Sequence, residues 1–175
     1  MIKTHKGVNY AFIDGQNLLM GVRSQGWEID LKKFKVFLKD KYRVKRIFIF
    51  LGYLRENQSF YNFLGSVGYE LVFKPTVRYR KDGRNRVKGN VDIELAIKVL
   101  LEYEKFCKAV IVSGDGDFYT LIKHLETNSK LLRILTPNKR YSSLLKEYNM
   151  YITDINLLRE KLRKEGEAFS RDKTL

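Results

Sequence analysis

Four aspartates stand where their chemistry and spacing could bind a cation. Asp14 ends the apolar stretch "AFID", Asp115 and Asp117 follow the apolar "AVIVS", and Asp92 lies in "KGNVDIELAI". Carboxylates that are crowded together repel one another unless a cation, a shared proton or a basic neighbour offsets their charge. Their oxygens suit Mg²⁺ or Mn²⁺, and an ion bound there could support hydrolysis of a phosphodiester bond. We therefore predict that these aspartates bind one of the two ions.

Each of the four also has an ordinary structural explanation. Aspartate caps the N-termini of helices, so Asp92 and Asp117 could do no more than satisfy backbone amides. Aspartates flanked by glycine are also common in turns. The combination nevertheless favours chemistry, because Asp14, Asp115 and Asp117 all follow predicted buried strands closely.

The elements that must position these aspartates can be predicted from the pattern of apolar residues. Six short runs, rich in β-branched or aromatic residues, predict strands at 8–13, 46–51, 69–73, 109–113, 131–135 and 150–153. Helical spacing predicts helices at 30–42, 59–68, 91–103 and 117–128. This alternation indicates an α/β domain with a mostly parallel central sheet flanked by helices on both faces. Functional residues gather at the carboxyl ends of strands in such sheets, which is where three of the aspartates are expected.

Positive charge dominates the rest of the chain. Lys+Arg 34 against Asp+Glu 20 gives a net charge of +14 in 175 residues, which indicates a polyanionic partner and above all nucleic acid. We interpret the stretch 74–90 as a substrate-binding loop, in which Tyr79 could stack on an unpaired base. Its basic residues are Lys74, Arg78, Arg80, Lys81, Arg84, Arg86 and Lys88. The charge could also serve solubility, reflect the Lys-rich composition of a thermophile, or attract an anionic membrane surface.

Other features of the sequence limit the kinds of site that the protein can form and indicate its cellular compartment. Cys107 is the single cysteine, which excludes an intramolecular disulfide and a cysteine-based zinc site. The sequence has no signal-peptide core and no apolar run of about 20 residues, so we expect a cytoplasmic protein without a membrane partner. His5 and His124 are weak candidates for a general base. A homodimer remains open.

Three stretches of the chain resemble the signature blocks of a known family. "FIDGQNL" at 12–18, "KGNVDIELA" at 88–96 and "VSGDGDFYTLI" at 112–122 look like the blocks of the NYN domain in its LabA-like branch, which is related to PIN-domain nucleases. The resemblance covers about residues 7–155 and implies a Rossmann-like PIN fold. We place the nuclease domain at 1–158 and a charged helix and tail at 159–175.

The resemblance also implies roles for individual residues. It implies a metal-dependent ribonuclease, and the family's acidic cluster matches the four aspartates. Asn17 matches an asparagine that orients the first aspartate or a metal-bound water. Ser113 matches a small hydroxyl residue that could hydrogen-bond a carboxylate or a phosphate.

One position departs from the family pattern. Many LabA-like sequences carry a further aspartate two turns into the helix after the second block, and Lys98 stands at that position here. Glu94 is close in sequence, but its offset of two from Asp92 directs it away from the same helix face. The number of metal ions is therefore open.

From these observations we expect a metal-dependent ribonuclease that acts on single-stranded or loop RNA and leaves a 5′-phosphate. Lys88 and the arginines Arg78, Arg80, Arg84 and Arg86 are expected to bind the phosphate backbone. Two other functions remain open. One is a non-catalytic RNA- or DNA-binding regulatory module with the same fold, which Lys98 would favour, and the other is a structure-specific DNA nuclease.

Overall fold

A computed structural model describes residues 7–74, 77–81, 84–88 and 91–165, and it describes only the backbone at 77–81 and 84–88. The strands are β1 (Asn9–Asp14), β2 (Val44–Gly52), β3 (Glu70–Lys74), β4 (Val77–Lys81), β5 (Arg84–Lys88), β6 (Ala109–Val112), β7 (Leu131–Thr136) and β8 (Ile152–Asp154). The α-helices are α1 (Gly15–Arg23), α2 (Leu31–Tyr42), α3 (Gln58–Val67), α4 (Asp92–Leu101), α5 (Tyr119–Thr127) and α6 (Arg159–Leu162).

Six of the strands form one parallel sheet in the order β3-β2-β1-β6-β7-β8. From β1 the chain adds β2 and β3 on one side, and from β6 it adds β7 and β8 on the other. The strand order therefore reverses between β1 and β6, and crevices for ligands form at such a switch point, outside the carboxyl ends of the strands. The predicted α/β class with a mostly parallel sheet is confirmed.

Helices cover both faces of the sheet because successive side chains of each central strand point to opposite faces. In β1, Ala11 and Ile13 join a core with α1, α2 and α3, whereas Tyr10 and Phe12 join a second core with α4 and α5. All of these strand residues are buried. The two apolar layers hold the sheet between them and leave its carboxyl edge to the polar residues that end the strands.

The predicted strands and helices agree with the observed ones within a few residues. The helix expected at 30–42 is Leu31–Tyr42, where the side chain of Asp30 accepts hydrogen bonds from the N–H groups of Lys32 and Lys33. It ends at Arg43, whose φ of 52° is left-handed. These caps satisfy backbone groups that a helix leaves without partners at its ends.

The predicted basic loop at 74–90 contains a β-hairpin in its described part, so the loop assignment was wrong, whereas its role in binding substrate stays a prediction. Strands β4 and β5 pair antiparallel, with Val77 opposite Lys88 and Lys81 opposite Arg84. The short stretches "VRYRK" and "RNRVK" are too charged to stand out as apolar runs. A signal was nevertheless present in the sequence, since Asp82 followed by Gly83 is a favoured pair in two-residue hairpin connections.

The predicted C-terminal charged helix is short in the described residues. Helix α6 ends at Leu162, which is buried in the core beside α2, and Arg163 forms an antiparallel bridge with Ile29. The N–H of Asp30 donates to the carbonyl of Leu162 at 2.7 Å, so this segment is tied to the body of the domain. Residues 166–175 of the expected tail lie outside the described residues. The domain division at residue 158 stays a prediction.

Candidate metal centre at the carboxyl edge of the sheet

Asp14 ends β1 and lies beneath the surface of the site. Its side chain is only 6% exposed, and it caps α1 by accepting a hydrogen bond from the N–H of Asn17 at 3.0 Å. Gly15 allows the sharp passage from strand to helix, since a Cβ there would lie 2.8 Å from the carbonyl oxygen of Phe50. The local sequence thus buries a carboxyl group at the switch point of the sheet.

The loop after β6 is tied to Asp14 through side chains that the sequence predicted for the site. Ser113 is buried, donates from its Oγ to Oδ2 of Asp14 at 3.5 Å and accepts from the N–H of Asp115 at 3.1 Å. The side-chain oxygen of Asn17 accepts from the N–H of Gly114 at 2.9 Å. Asn17 therefore bridges the loops after β1 and β6. Its backbone N–H contacts Asp14, and its side-chain amide oxygen contacts Gly114.

Three of the predicted carboxylates converge. One oxygen each of Asp92, Asp115 and Asp117 lies within 4.8 Å of the other two. Asp92 begins α4, where the N-cap Val91 supplies no side-chain hydrogen bond, and Asp115 accepts from the N–H of Asp117 at 3.1 Å to start the 3₁₀ turn that precedes α5. Capping therefore explains Asp115 in part, but it does not explain why all three oxygens meet.

The pKa of Asp14 reflects its burial and this crowding. Burial has the largest effect and raises the pKa, the hydrogen bond from Asn17 lowers it, and the charges of Asp92 and Asp115 raise it further, to about 6. Asp14 is not among the three oxygens that meet, yet it lies close enough to respond to two of them. A cation held by the three carboxylates would relieve this repulsion. The donor set consists of hard carboxylate oxygens, which fit Mg²⁺ or Mn²⁺.

The structure places Lys98 and Glu94 in other contacts. Lys98 forms an ion pair with Glu102 at 2.9 Å and lies over the ring of Phe48 at 4.9 Å. Glu94 is paired with Lys74 at 3.5 Å. Neither side chain belongs to the group of three meeting carboxylates.

The structure describes one of the two histidines that were candidates for a general base. His124 is exposed near the end of α5, with its ring 5.4 Å from that of Tyr103, a residue that precedes β6. Tyr103 therefore marks the amino edge of the sheet, opposite the acidic cluster, and the structure does not bring His124 to the predicted site. His5 lies outside the described residues. The thiol of Cys107 is partly buried.

The predicted phosphate-binding cations belong to β4 and β5, and their side chains lie outside the described part of the structure. These residues are Arg78, Arg80, Arg84, Arg86 and Lys88, together with the stacking candidate Tyr79. Their backbones place them in the hairpin that directly precedes Asp92 along the chain.

Sequence reasoning missed a segment that supports the acidic loop. After β7, the N–H of Ser142 donates to the carbonyl of Gly114 at 2.9 Å. A Cβ on Gly116 would lie 3.0 Å from Cβ of Ser142 and 3.3 Å from a methyl of Leu144, so this segment packs directly against the loop that carries Asp115. This segment could have been predicted from the sequence, because it follows β7, another central strand, and functional residues gather beyond the carboxyl ends of such strands.

Comparisons with known proteins place this geometry in a family. The model of the NYN domain matches residues 10–160. The low amplitude and bright protein LabA of Synechococcus elongatus is 23% identical over 160 residues, which are 87% of this chain and 86% of LabA. The crystal structure of a protein of unknown function from Vibrio parahaemolyticus has a TM-score of 0.72 at 20% identity, and the match covers 94% of this chain and 100% of that one.

The NYN domain has a nuclease-type, PIN-like fold, and the parallel sheet with an acidic group at its switch point fits that fold. The chain belongs to the NYN domain family, and its similarity to LabA agrees with a LabA-like member. The resemblance noted in the sequence is therefore confirmed. Among the described residues, no helix combines the length and the apolar character that a membrane span requires.

Proposed function

We propose that this protein is a metal-dependent ribonuclease that hydrolyses phosphodiester bonds of single-stranded or loop RNA. One observation carries the proposal. Oxygens of Asp92, Asp115 and Asp117 meet within 4.8 Å at the carboxyl edge of the sheet, and the charges of Asp92 and Asp115 raise the pKa of the buried Asp14. NYN domains have a nuclease-type fold, which agrees with an acidic site at this edge.

In this proposal the four aspartates hold one or more Mg²⁺ or Mn²⁺ ions. Such an ion, when bound, would orient water for in-line attack and offset charge on the phosphate. Asp92, Asp115 and Asp117 supply the ligand oxygens, and Asp14 adds a buried carboxyl group at the end of β1. Ser113 and Asn17 are positioning residues, because they fix Asp115 and Gly114 by hydrogen bonds.

The charge of the chain supports a nucleic-acid substrate. A net charge of +14 favours a polyanion, and the basic hairpin lies next to Asp92 in the chain. We assign Lys88, Arg86, Arg84, Arg80 and Arg78 to the phosphate backbone of the substrate. RNA is the proposed substrate, and DNA cut at a particular structure is the alternative to be separated by competition between matched oligonucleotides.

The test compares cleavage of a 5′-labelled single-stranded RNA with Mn²⁺, Mg²⁺ or EDTA. Wild-type protein should cut with either metal and not with EDTA, and Asp115→Asn should lower the rate at least about a hundredfold, since the acidic group acts as a unit. Asp40→Asn, an exposed aspartate on α2, is the matched control and should cut normally. RNA that stays intact in every lane but still binds would instead support a non-catalytic RNA-binding module.

A further inference from the structure

Three aromatic rings lie together where β2 and β3 end. Tyr61 on α3 contacts Phe73 of β3 with ring centroids 4.7 Å apart, and Tyr53, just after β2, lies 5.9 Å from Tyr61 and 5.5 Å from Phe73. Nothing in the sequence predicts this cluster, because its members are separated along the chain and meet only through the β2–β3 pairing.

The cluster has one buried member and two exposed ones. Tyr61 is 5% exposed, whereas Tyr53 is 41% exposed and Phe73 is 38% exposed. Tyr61 also fixes the backbone beneath them, since its hydroxyl donates to the carbonyl of Gly52 at 3.2 Å and accepts from the N–H of Leu54 at 3.0 Å. Phe73 lies on β3, and the N–H of Tyr53 donates to the carbonyl of Lys74 at 2.9 Å. Backbone hydrogen bonds thus hold both exposed rings in place, which reduces the entropy cost of binding a ligand against them.

The exposed pair lies on the same edge of the sheet as the acidic site. Asp14 is opposite Phe50 in the β1–β2 register, and Phe73 is opposite Leu51 in the β2–β3 register. Neighbouring strands are about 4.8 Å apart, so the backbones of Phe73 and Asp14 are roughly 10 Å apart across the sheet. Phe73 points to the face covered by α3, whereas Asp14 points to the face covered by α4. A single strand whose phosphate lies at the aspartates can cross this carboxyl edge and place a base at these rings.

Positively charged residues, which favour binding of a nucleic acid, lie near these rings in the chain. Arg55 is exposed two residues after Tyr53, in the 3₁₀ turn Arg55–Asn57, and the basic hairpin begins three residues after Lys74. Sites for single-stranded nucleic acid combine such cations with aromatic side chains on which bases stack, and stacking tolerates any base because every base has a π-face.

We propose that Tyr53 and Phe73 form a stacking site for unpaired bases of a single-stranded nucleic acid that extends from the acidic centre toward the β3 edge of the sheet. The proposal rests on the proposed function for the position of the phosphate. Its recognition chemistry is shared by RNA and DNA, since it uses the base and not the sugar.

The test separates base stacking from charge. Binding of a fluorescent single-stranded oligonucleotide is compared, in EDTA to prevent cleavage, with binding of an abasic oligonucleotide of the same length and charge. Wild-type protein should prefer the strand with bases by about tenfold or more. The double variant Tyr53→Ala with Phe73→Ala should lose this preference and keep its affinity for the abasic strand.

Two further variants make the result specific. Phe63→Ala removes a ring of matched exposure, 37%, from α3 at a site beside Lys32, and it should change nothing. Tyr53→Phe with Phe73→Tyr keeps both rings and should keep the preference. Should the double variant fail to fold, Tyr53→Ala alone is the test variant, because Tyr53 is the more exposed of the two rings and its loss should reduce the preference by itself.

Failure of this inference differs from failure of the proposed function. If wild-type protein cuts RNA with Mn²⁺ but binds abasic and base-containing strands equally, the stacking site is overturned and the proposed nuclease activity still stands. If the double variant loses the base preference and neither it nor wild-type protein cleaves RNA, the stacking site is supported and the proposed nuclease activity is overturned. Running the binding series with RNA and with DNA shows whether either sugar is preferred at these rings.

Discussion

Asp14 is a carboxyl group that the fold keeps from ionising in the mildly acidic range. Its pKa of about 6 exceeds the ordinary value of 3.8, mainly because it is buried and partly because Asp92 and Asp115 are near. The stability that the protonated form contributes is fully present below pH 3.8 and is lost as the pH rises through 6. In the metal-free protein, ionised Asp14 is therefore a cost to folding at neutral pH.

Asp14→Asn should remove that cost. Relative to wild type, the free energy of unfolding of this variant should rise by roughly 2 kcal/mol between pH 4 and pH 8, measured by urea unfolding in EDTA. Asp40→Asn, an exposed substitution on α2, should follow the wild-type curve. Parallel pH dependences of wild type and Asp14→Asn would contradict the account of Asp14.

At the scale of elements, the site depends on the packing of the segment after β7 against the loop after β6. Gly116 has no room for a side chain, because Ser142 and Leu144 lie against it. We predict that Gly116→Ala displaces Asp115 and Asp117 and weakens binding of Mn²⁺ by about tenfold or more, as changes in the residues that orient metal ligands commonly do. The measurement is the rise in melting temperature with Mn²⁺ concentration.

Gly65→Ala is the matched control for that substitution. Gly65 lies inside α3 with nothing within 4 Å of an added Cβ, so alanine there should raise stability by about 0.5–1 kcal/mol and leave the Mn²⁺ response unchanged. An unchanged Mn²⁺ response in Gly116→Ala, with the protein folded, would mean that the loop does not set the position of the carboxylates.

The elements also show which parts of the site a sequence can reveal. Asp14 and Asp115 could be found from sequence alone, because each follows a buried apolar strand, and strand ends meet at one edge of a parallel sheet. The hairpin was missed because its charged strands have no apolar pattern. Tyr53 and Phe73 could not be paired from sequence, since their contact depends on the register of β2 with β3.

At the scale of the whole molecule, charge decides how the protein would meet a polyanion. The acidic cluster is a small region of negative charge in a chain of net charge +14, so long-range attraction should bring nucleic acid to the surface and the aspartates should act only at contact. A homodimer and a cytoplasmic location stay predictions, and this attraction requires neither.

The salt dependence of RNA binding tests that view. Each phosphate contact to a single strand contributes about 0.7 to the slope of log affinity against log salt concentration, because the contact releases condensed counterions. If Arg84 and Arg86 of the hairpin bind phosphates, replacing both with glutamine should lower the slope by about 1.4 and weaken binding equally for every RNA sequence. Lys39→Gln with Lys41→Gln, two exposed cations in the last turn of α2, is the matched control for total charge. Equal changes in slope for the two pairs would mean that the hairpin acts only through net charge, whereas a larger change for the arginines would assign it to the path of the RNA backbone.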